Sequence, residues 1–501
     1  MSGKKKFKLL DVILSVICVV FVAEAIAPAA AIGNQQFFWW IFLIITFLLP
    51  YGLIVSELGT AYADDEGGLY DWVRRAFGDK WGARVSWYYW INFPLWIASL
   101  AVLFPSTLGA MAGIELGLVP SLAIELAFIW IIIFISFSRA SDAIWIMNVA
   151  AVLKVAIALC LGGLGIYFAA TSGFASDMAP ATFMPSFDMN ALAYLSIILF
   201  NFLGFEVVAT YASDMENPRV QIPKAIIIGG IVIAAIYMAG SFGIGAAIPA
   251  TELSLDSGIM DAVAIMTGDG SLPLIIVGVV FLLTLFGNMV SWSFGVNFVV
   301  VCAAKDRNMP TAFSTETRKS NMPKGVTIAN GIIASIVVLL LPVAEAFGIG
   351  DFFWVLFSVG VVFLLFSYIP MFPAFLKLRR IDPNRNRLFR VPGSRAVLSV
   401  LAWLPVVILV LAAFITIVPL DGSESELAKL PMLITVIAFI ILGEVVRIVA
   451  GKKRPQAYLG MGKSGEPPAR SLPGAEVEEE RSQREEHLAR NSRKMNCLRK
   501  E

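Results

Sequence analysis

Apolar residues in this chain do not alternate with polar ones; they run in long blocks that short polar segments interrupt. A helix needs about 20 apolar residues to cross a hydrocarbon core of about 30 Å. Twelve blocks approach or exceed that length, at 9–32, 37–60, 87–112, 119–137, 142–170, 190–213, 224–247, 272–303, 326–346, 351–376, 396–419 and 431–450, numbered here as spans 1 to 12. The pattern predicts an all-α polytopic membrane protein with twelve transmembrane helices. Its loops are short except at 61–86, 248–271 and 302–325. The 61–86 segment offers Tyr70, Trp72, Val73 and Phe77 to one face, which predicts an interfacial helix lying at the level of the lipid headgroups.

Charge placement supports the count. With the N-terminus inside, 36 of the 38 Lys and Arg residues fall in inner segments; Lys429 lies outside and Lys154 within span 5. That asymmetry is what the positive-inside rule demands, and it puts both termini in the cytoplasm. Lysines precede span 1 as in a signal peptide, but the block is too long for one and eleven more follow.

Composition narrows the function. The chain is 58% hydrophobic, 15% charged and carries a net charge of +1 with its basic residues dispersed along one membrane face, so lipid surrounds it and nucleic acid is not an expected partner. Cys18, Cys160, Cys302 and Cys497 have no paired spacing, and three of them read as small helix-packing residues. The single histidine, His487, lies in the tail, which leaves no metal site, no cofactor site and no catalytic dyad in the membrane. "AYLGMGKS" ends like a phosphate loop but has Ala457 where the first glycine belongs, and it follows a span rather than a strand. The tail, 451–501, is rich in proline and charge and reads as disordered or partly helical.

Two spans break the apolar rule. Span 1 carries "VAEAIAPAAAIG", with Glu24 and Pro28; span 6 carries "NFLGFEVVATY", with Asn201, Gly204 and Glu206. Polar and helix-breaking residues at membrane depth default to function or to a buried pair. Each of these spans opens a group of five, 1–5 (9–170) and 6–10 (190–376), with spans 11 and 12 (396–450) added. Inverted repeats with helices broken at the midplane are a common transporter design, in which freed backbone groups bind the substrate. A proline kink with a packed glutamate is the plainer alternative for span 1.

Three segments, "SELGTAYADDEGGLYDWVRRAFGDKWG", "NFLGFEVVATYASDMENPRVQIPKA" and "AAKDRNMPTAF", resemble the characteristic stretches of the amino acid–polyamine–organocation superfamily. The resemblance covers residues 9 to about 450. It implies a LeuT-type fold, a five-plus-five inverted repeat with interrupted helices 1 and 6, and transport of amino acids or related amines. Carried over residue by residue, it implies a substrate site at Ala23, Glu24, Ala25, Ile26, Asn201, Gly204, Phe205 and Glu206. Phe200 matches the aromatic gate of the arginine/agmatine antiporters, and Trp292 matches their span-8 tryptophan by its spacing from Pro310; lipid-facing packing is the alternative for Trp292. Lys154 matches a lysine that replaces the cation of sodium-coupled relatives, so it implies sodium independence. Lys154 either pairs with Glu24 or donates to span-1 carbonyls, and Glu24 either contacts substrate or serves as structure or proton relay.

The superfamily's double-glycine break is absent from span 1, which is similar in this to the glutamate/GABA antiporters. Their long tails plug the inner mouth, and residues 451–501 are long enough to do so. The resemblance implies an exchanger working by alternating access in a plasma membrane, bacterial by its compact loops, as monomer or homodimer. A proton-coupled symporter and a transporter-fold receptor that signals through the tail stay open as alternatives; an enzyme is not expected. Trp90, Phe93 and Trp96 make span 3 aromatic, which an interfacial belt explains as readily as a ligand.

Overall fold

The computed structural model describes residues 8–452 except 63–66, 139, 187–191, 193–194, 207–214 and 347–351. The chain divides into a body, Met1–Gly451, and a C-terminal unit, Lys452–Glu501. The expected tail helix, its plugging role and the phosphate-loop decoy lie outside the described residues. The described residues are mostly helical, and no strand forms among them. Among the described residues ten helices are long and apolar enough to cross a membrane, and a bent pair in span 1 makes an eleventh. Span 6 is described as the helix Leu195–Phe200 and the turn that follows it; its second half lies outside the described residues.

The spans pack in two matching sets of contacts. Span 3 packs along span 10 as span 8 packs along span 5, and span 3 meets spans 4 and 9 as span 8 meets spans 9 and 4. Spans 5 and 7 touch backbone to backbone: a Cβ on Gly165 would stand 2.3 Å from Gly243 Cα, and one on Gly243 would stand 2.1 Å from the Leu161 carbonyl oxygen. Lipid offers helices little hydrophobic drive to associate, so such small-residue contacts supply it through close packing. Cys160, expected to pack between helices, faces outward instead.

Several elements depart from the expected limits. Span 3 is a helix of 34 residues, Asp79–Ala112, because Gly78 (φ +84°) starts it eight residues before the apolar block. Span 2 contains a π-turn at Ile44–Leu48, immediately ahead of Pro50, whose missing N–H cannot continue the regular ladder. The 61–86 segment does form a helix, Leu69–Phe77, but Tyr70, Trp72 and Val73 are buried against protein and not laid on lipid. The motif residues explain why. Arg74 Nη1 and the Tyr70 hydroxyl reach Asp306 Oδ2 at 2.7 and 3.0 Å, and Asn308 Nδ2 donates to the Tyr70 hydroxyl at 2.7 Å. Burial first, and the Asp306 carboxylate second, hold the Tyr70 phenol well above its ordinary pKa, so it remains a donor at neutral pH.

A second motif residue, Glu57 of span 2, is buried and accepts from Arg379 Nε at 2.7 Å, from the Val391 N–H at 2.7 Å and from Arg387 Nε at 3.2 Å. A carboxylate there requires such partners, since an unpaired one would cost several kcal/mol. Glu57 thereby ties span 2 to the end of span 10 and to the strap that follows it.

Candidate functional site

The break in span 1 falls at Phe21 and Val22, both extended, between the helix Leu9–Val20 and a single 3-10 turn at Ala23–Ala25, with a 63° bend between the halves. Pro28 is not its cause. It sits third in the second half-helix, Ile26–Ala30, where a missing N–H leaves nothing unpaired. The groups freed by the break are taken by side chains from other spans, as a helix end in a dry interior requires. The Val22 N–H donates to the Tyr237 hydroxyl at 2.8 Å, and that hydroxyl lies 2.9 Å from the Val22 carbonyl and 3.0 Å from Asn201 Oδ1. Lys154 Nζ donates to the Cys18 carbonyl at 2.9 Å, and Trp292 Nε1 to the Val19 carbonyl at 3.0 Å.

Of the two arrangements open for Lys154, donation to span-1 carbonyls is the one found. Its other bond, 2.7 Å long, goes to Asn288 Oδ1, and Asn288 Nδ2 donates at 3.2 Å to Glu24 Oε1. The ammonium and the carboxylate therefore communicate through an amide and make no direct ion pair. Trp96 Nε1 also donates to Glu24 Oε1, at 3.1 Å. Glu24 Oε2 is buried with no hydrogen-bond partner.

The Trp96 ring that bonds this carboxylate belongs to an aromatic cluster. Trp96 packs edge-on against both Trp292 and Phe200, with centroids 5.2 Å apart in each case, and Phe200 meets Phe357 at 5.5 Å. Trp292 also covers the turn of span 6: a Cβ on Gly204 would stand 3.3 Å from its six-membered ring, and Gly204 has φ +98°. Only glycine meets both conditions without strain. Ala23 and Ala25 are buried beside Glu24 and add little bulk.

Glu206 belongs to a separate cluster. Its Oε1 accepts from the Tyr368 hydroxyl at 2.6 Å and the Tyr89 hydroxyl at 3.1 Å, and its Oε2 accepts from the Tyr51 hydroxyl at 2.9 Å. Tyr368 also receives the Gly204 N–H at 3.1 Å. Phe205 turns to Tyr51, with centroids 6.2 Å apart, and Ile26 packs on span 7 at Gly240. Span 3 carries a member of each cluster, Trp96 for Glu24 and Tyr89 for Glu206, two helical turns or about 10 Å apart along its axis.

The structure thus gathers Glu24, its alanine neighbours, Lys154, Asn201, Phe200, Gly204 and Trp292 around the span-1 break, and it sets Glu206, Phe205 and Ile26 apart. Trp96 was legible in the sequence only as one aromatic among several; it is 1% exposed and belongs to no belt, nor do Trp90 and Phe93. Asn288, Tyr237, Tyr89, Tyr51 and Tyr368 carried no signal beyond their polarity within apolar blocks. Two surface clefts of about 650 and 640 Å³ lie elsewhere, the first of them lined by Phe37, Leu159 and Phe242 among apolar neighbours.

A multi-pass bundle whose first helix is broken within its span, with a buried polar site at the break, follows the design of a secondary transporter. The sequence profile of the amino acid permease family matches residues 7–442, and the chain belongs to that family. It is 52% identical over 447 residues to a protein of Lactococcus lactis named as a probable agmatine/putrescine antiporter, covering 89% of this chain and 95% of the relative. An uncharacterised transporter of Legionella pneumophila is 26% identical, with 83% and 90% covered. A glutamate/gamma-aminobutyrate antiporter of Lactococcus lactis is 24% identical, with 80% and 82% covered. The chain is thus a membrane transporter of the amino acid permease family, and two of these three relatives are named as antiporters.

Proposed function

We propose that this protein exchanges agmatine for putrescine, or a closely similar pair of dications, across a bacterial plasma membrane with both termini in the cytoplasm. The observation that carries this reading is Glu24 Oε2, a buried carboxylate oxygen with no hydrogen-bond partner, on a carboxylate bonded to Trp96, which itself packs on Trp292 and Phe200. A buried carboxylate at the edge of an aromatic cluster suits a guanidinium or an ammonium, which gains a charge-assisted hydrogen bond and has rings nearby for cation–π contact. A substrate carboxylate would meet the same Glu24 with repulsion, and the lysine that could offset it is occupied by Cys18 and Asn288. The 52% identity to a probable agmatine/putrescine antiporter supports the same pair.

Lys154 stands in for a coupling cation, so exchange needs no sodium. Glu206, released by its tyrosines, serves the second positive group of the substrate in part of the cycle, with Phe200 and Trp292 closing over the first. Alternating access moves the site between the two sides. An empty carrier leaves a buried carboxylate oxygen unsatisfied, which costs about 1–3 kcal/mol or more for a charged group and disfavours reorientation without cargo. That penalty turns a carrier into an exchanger. The test is a thermal-shift panel on the purified protein, since a ligand that binds the folded state raises its melting temperature by mass action. Agmatine and putrescine should shift it, and arginine, which differs from agmatine by one carboxylate, should not; equal shifts by arginine would refute the reading.

A further inference from the structure

At the basic end of the bundle a cleft of about 640 Å³ opens between the start of span 7 and the strap that follows span 10, lined by Arg219, Val220, Lys224, Arg387, Leu388 and Arg390 among others. Arg387 is spent on Glu57 and on the carbonyls of Leu378 and Asp382. Arg219, Lys224 and Arg390 are exposed and make no ion pair among the described residues. Three cations that make no ion pair among the described residues surround one concavity, and an anion there would relieve their mutual repulsion.

Spans 7 and 11, whose starts adjoin the cleft-lining residues Lys224 and Pro392 in sequence, carry exposed apolar residues further along. Ile228 and Ile231 on span 7 and Val400 and Trp403 on span 11 are 41%, 47%, 60% and 52% exposed. A cationic cleft at the ends of spans that expose aliphatic and indole side chains further along suits a molecule with an anionic head and hydrocarbon chains. Basic pockets between transmembrane helices take phospholipid headgroups on this principle.

We propose that this cleft is a binding site for an anionic glycerophospholipid, its phosphodiester held by Arg219, Lys224 and Arg390 and its chains lying along spans 7 and 11. Arg387 and Phe389 join the occupant to span 2, because Arg387 bonds Glu57 and the Phe389 N–H donates to Thr60 Oγ1 at 3.2 Å. The site does not depend on which substrate is carried.

The test is native mass spectrometry of the full chain in a non-ionic detergent, titrated with phosphatidylglycerol or phosphatidylethanolamine. We expect one tightly retained phosphatidylglycerol and weak retention of phosphatidylethanolamine. Each juxtamembrane cation contributes about fivefold, so the triple variant R219Q/K224Q/R390Q should lose about a hundredfold in affinity. The control triple K80Q/R318Q/K324Q, equal in charge and on the same basic face, should lose little. Equal losses in both triples, or none in either, would overturn the proposal, as would displacement of the lipid by inorganic phosphate at equal concentration. Should the first triple fold poorly, a photoactivatable phosphatidylglycerol on the unmodified protein decides: labelling within 218–231, 386–392 or 400–403 supports the site, and labelling elsewhere overturns it.

Discussion

Replacing Glu24 by glutamine isolates the charge on which the transport account depends. Gln Oε1 can still accept from Trp96 Nε1 and Asn288 Nδ2, which stand 3.1 and 3.2 Å from the native Oε1, so the local geometry survives. What changes is the second position: an unpartnered acceptor becomes an amide NH2, which faces a cationic substrate with its own donors. Truncating one partner of a buried, hydrogen-bonded charge pair costs about 2–5 kcal/mol, which is about thirty-fold to several-thousand-fold in apparent affinity. The assay is entry of labelled agmatine into proteoliposomes loaded with putrescine, with substrate varied to separate KM from the maximal rate. The loss should fall mainly on KM, and Glu24→Asp, which keeps the charge on a shorter arm, should retain more exchange than Glu24→Gln. A Glu24→Gln protein with unchanged KM for agmatine would refute the reasoning, because the oxygen would then have no cationic ligand.

Three further outcomes test the supporting parts. Exchange by the unmodified protein should proceed equally in sodium and choline, and Lys154→Met should lower the melting temperature sharply, since it strips the Cys18 carbonyl and Asn288 of their donor; sodium stimulation would refute Lys154 as the cation substitute. Tyr368→Phe removes one donor to Glu206 and the acceptor of the Gly204 N–H, a loss of about 1.5–3 kcal/mol that thermal denaturation should report as reduced stability. Gly204→Ala meets Trp292 at 3.3 Å in a backbone with φ +98°, a strain of about 1–3 kcal/mol, and should cut the exchange rate by at least about tenfold.

Much of the architecture was legible because the bilayer makes two simple demands, length and neutrality, and puts the basic residues on one face. Spans 1 and 6 were legible for a related reason: a glutamate and a glycine inside otherwise apolar blocks are costly enough to mark them. Phe200 and Trp292 were found by spacing within a resemblance, and the structure brings both to Trp96. The proline kink that stood as the plainer alternative for span 1 is not what bends it, because the chain turns at Phe21 and Val22 and Pro28 sits inside the second half-helix. The Lys154 and Glu24 connection was only half legible, since the bridging Asn288 lies 264 residues from Glu24 and an amide in a span has many possible partners. The tyrosines that enclose Glu206 come from spans 2, 3 and 10, and no periodicity along one helix announces a cluster drawn from three. The 61–86 helix was read as lipid-bound because amphipathicity does not distinguish a membrane surface from a protein surface.

The most direct test of the whole account is counterflow: proteoliposomes holding the unmodified protein, loaded with putrescine or left empty, and offered labelled agmatine without sodium. Agmatine and putrescine each carry two positive charges at neutral pH, so one-for-one exchange moves no net charge. The account predicts uptake only into putrescine-loaded vesicles, unaltered by a membrane potential or by collapse of a pH gradient. Uptake into empty vesicles that follows an imposed pH gradient would contradict it and make the protein a proton-coupled symporter.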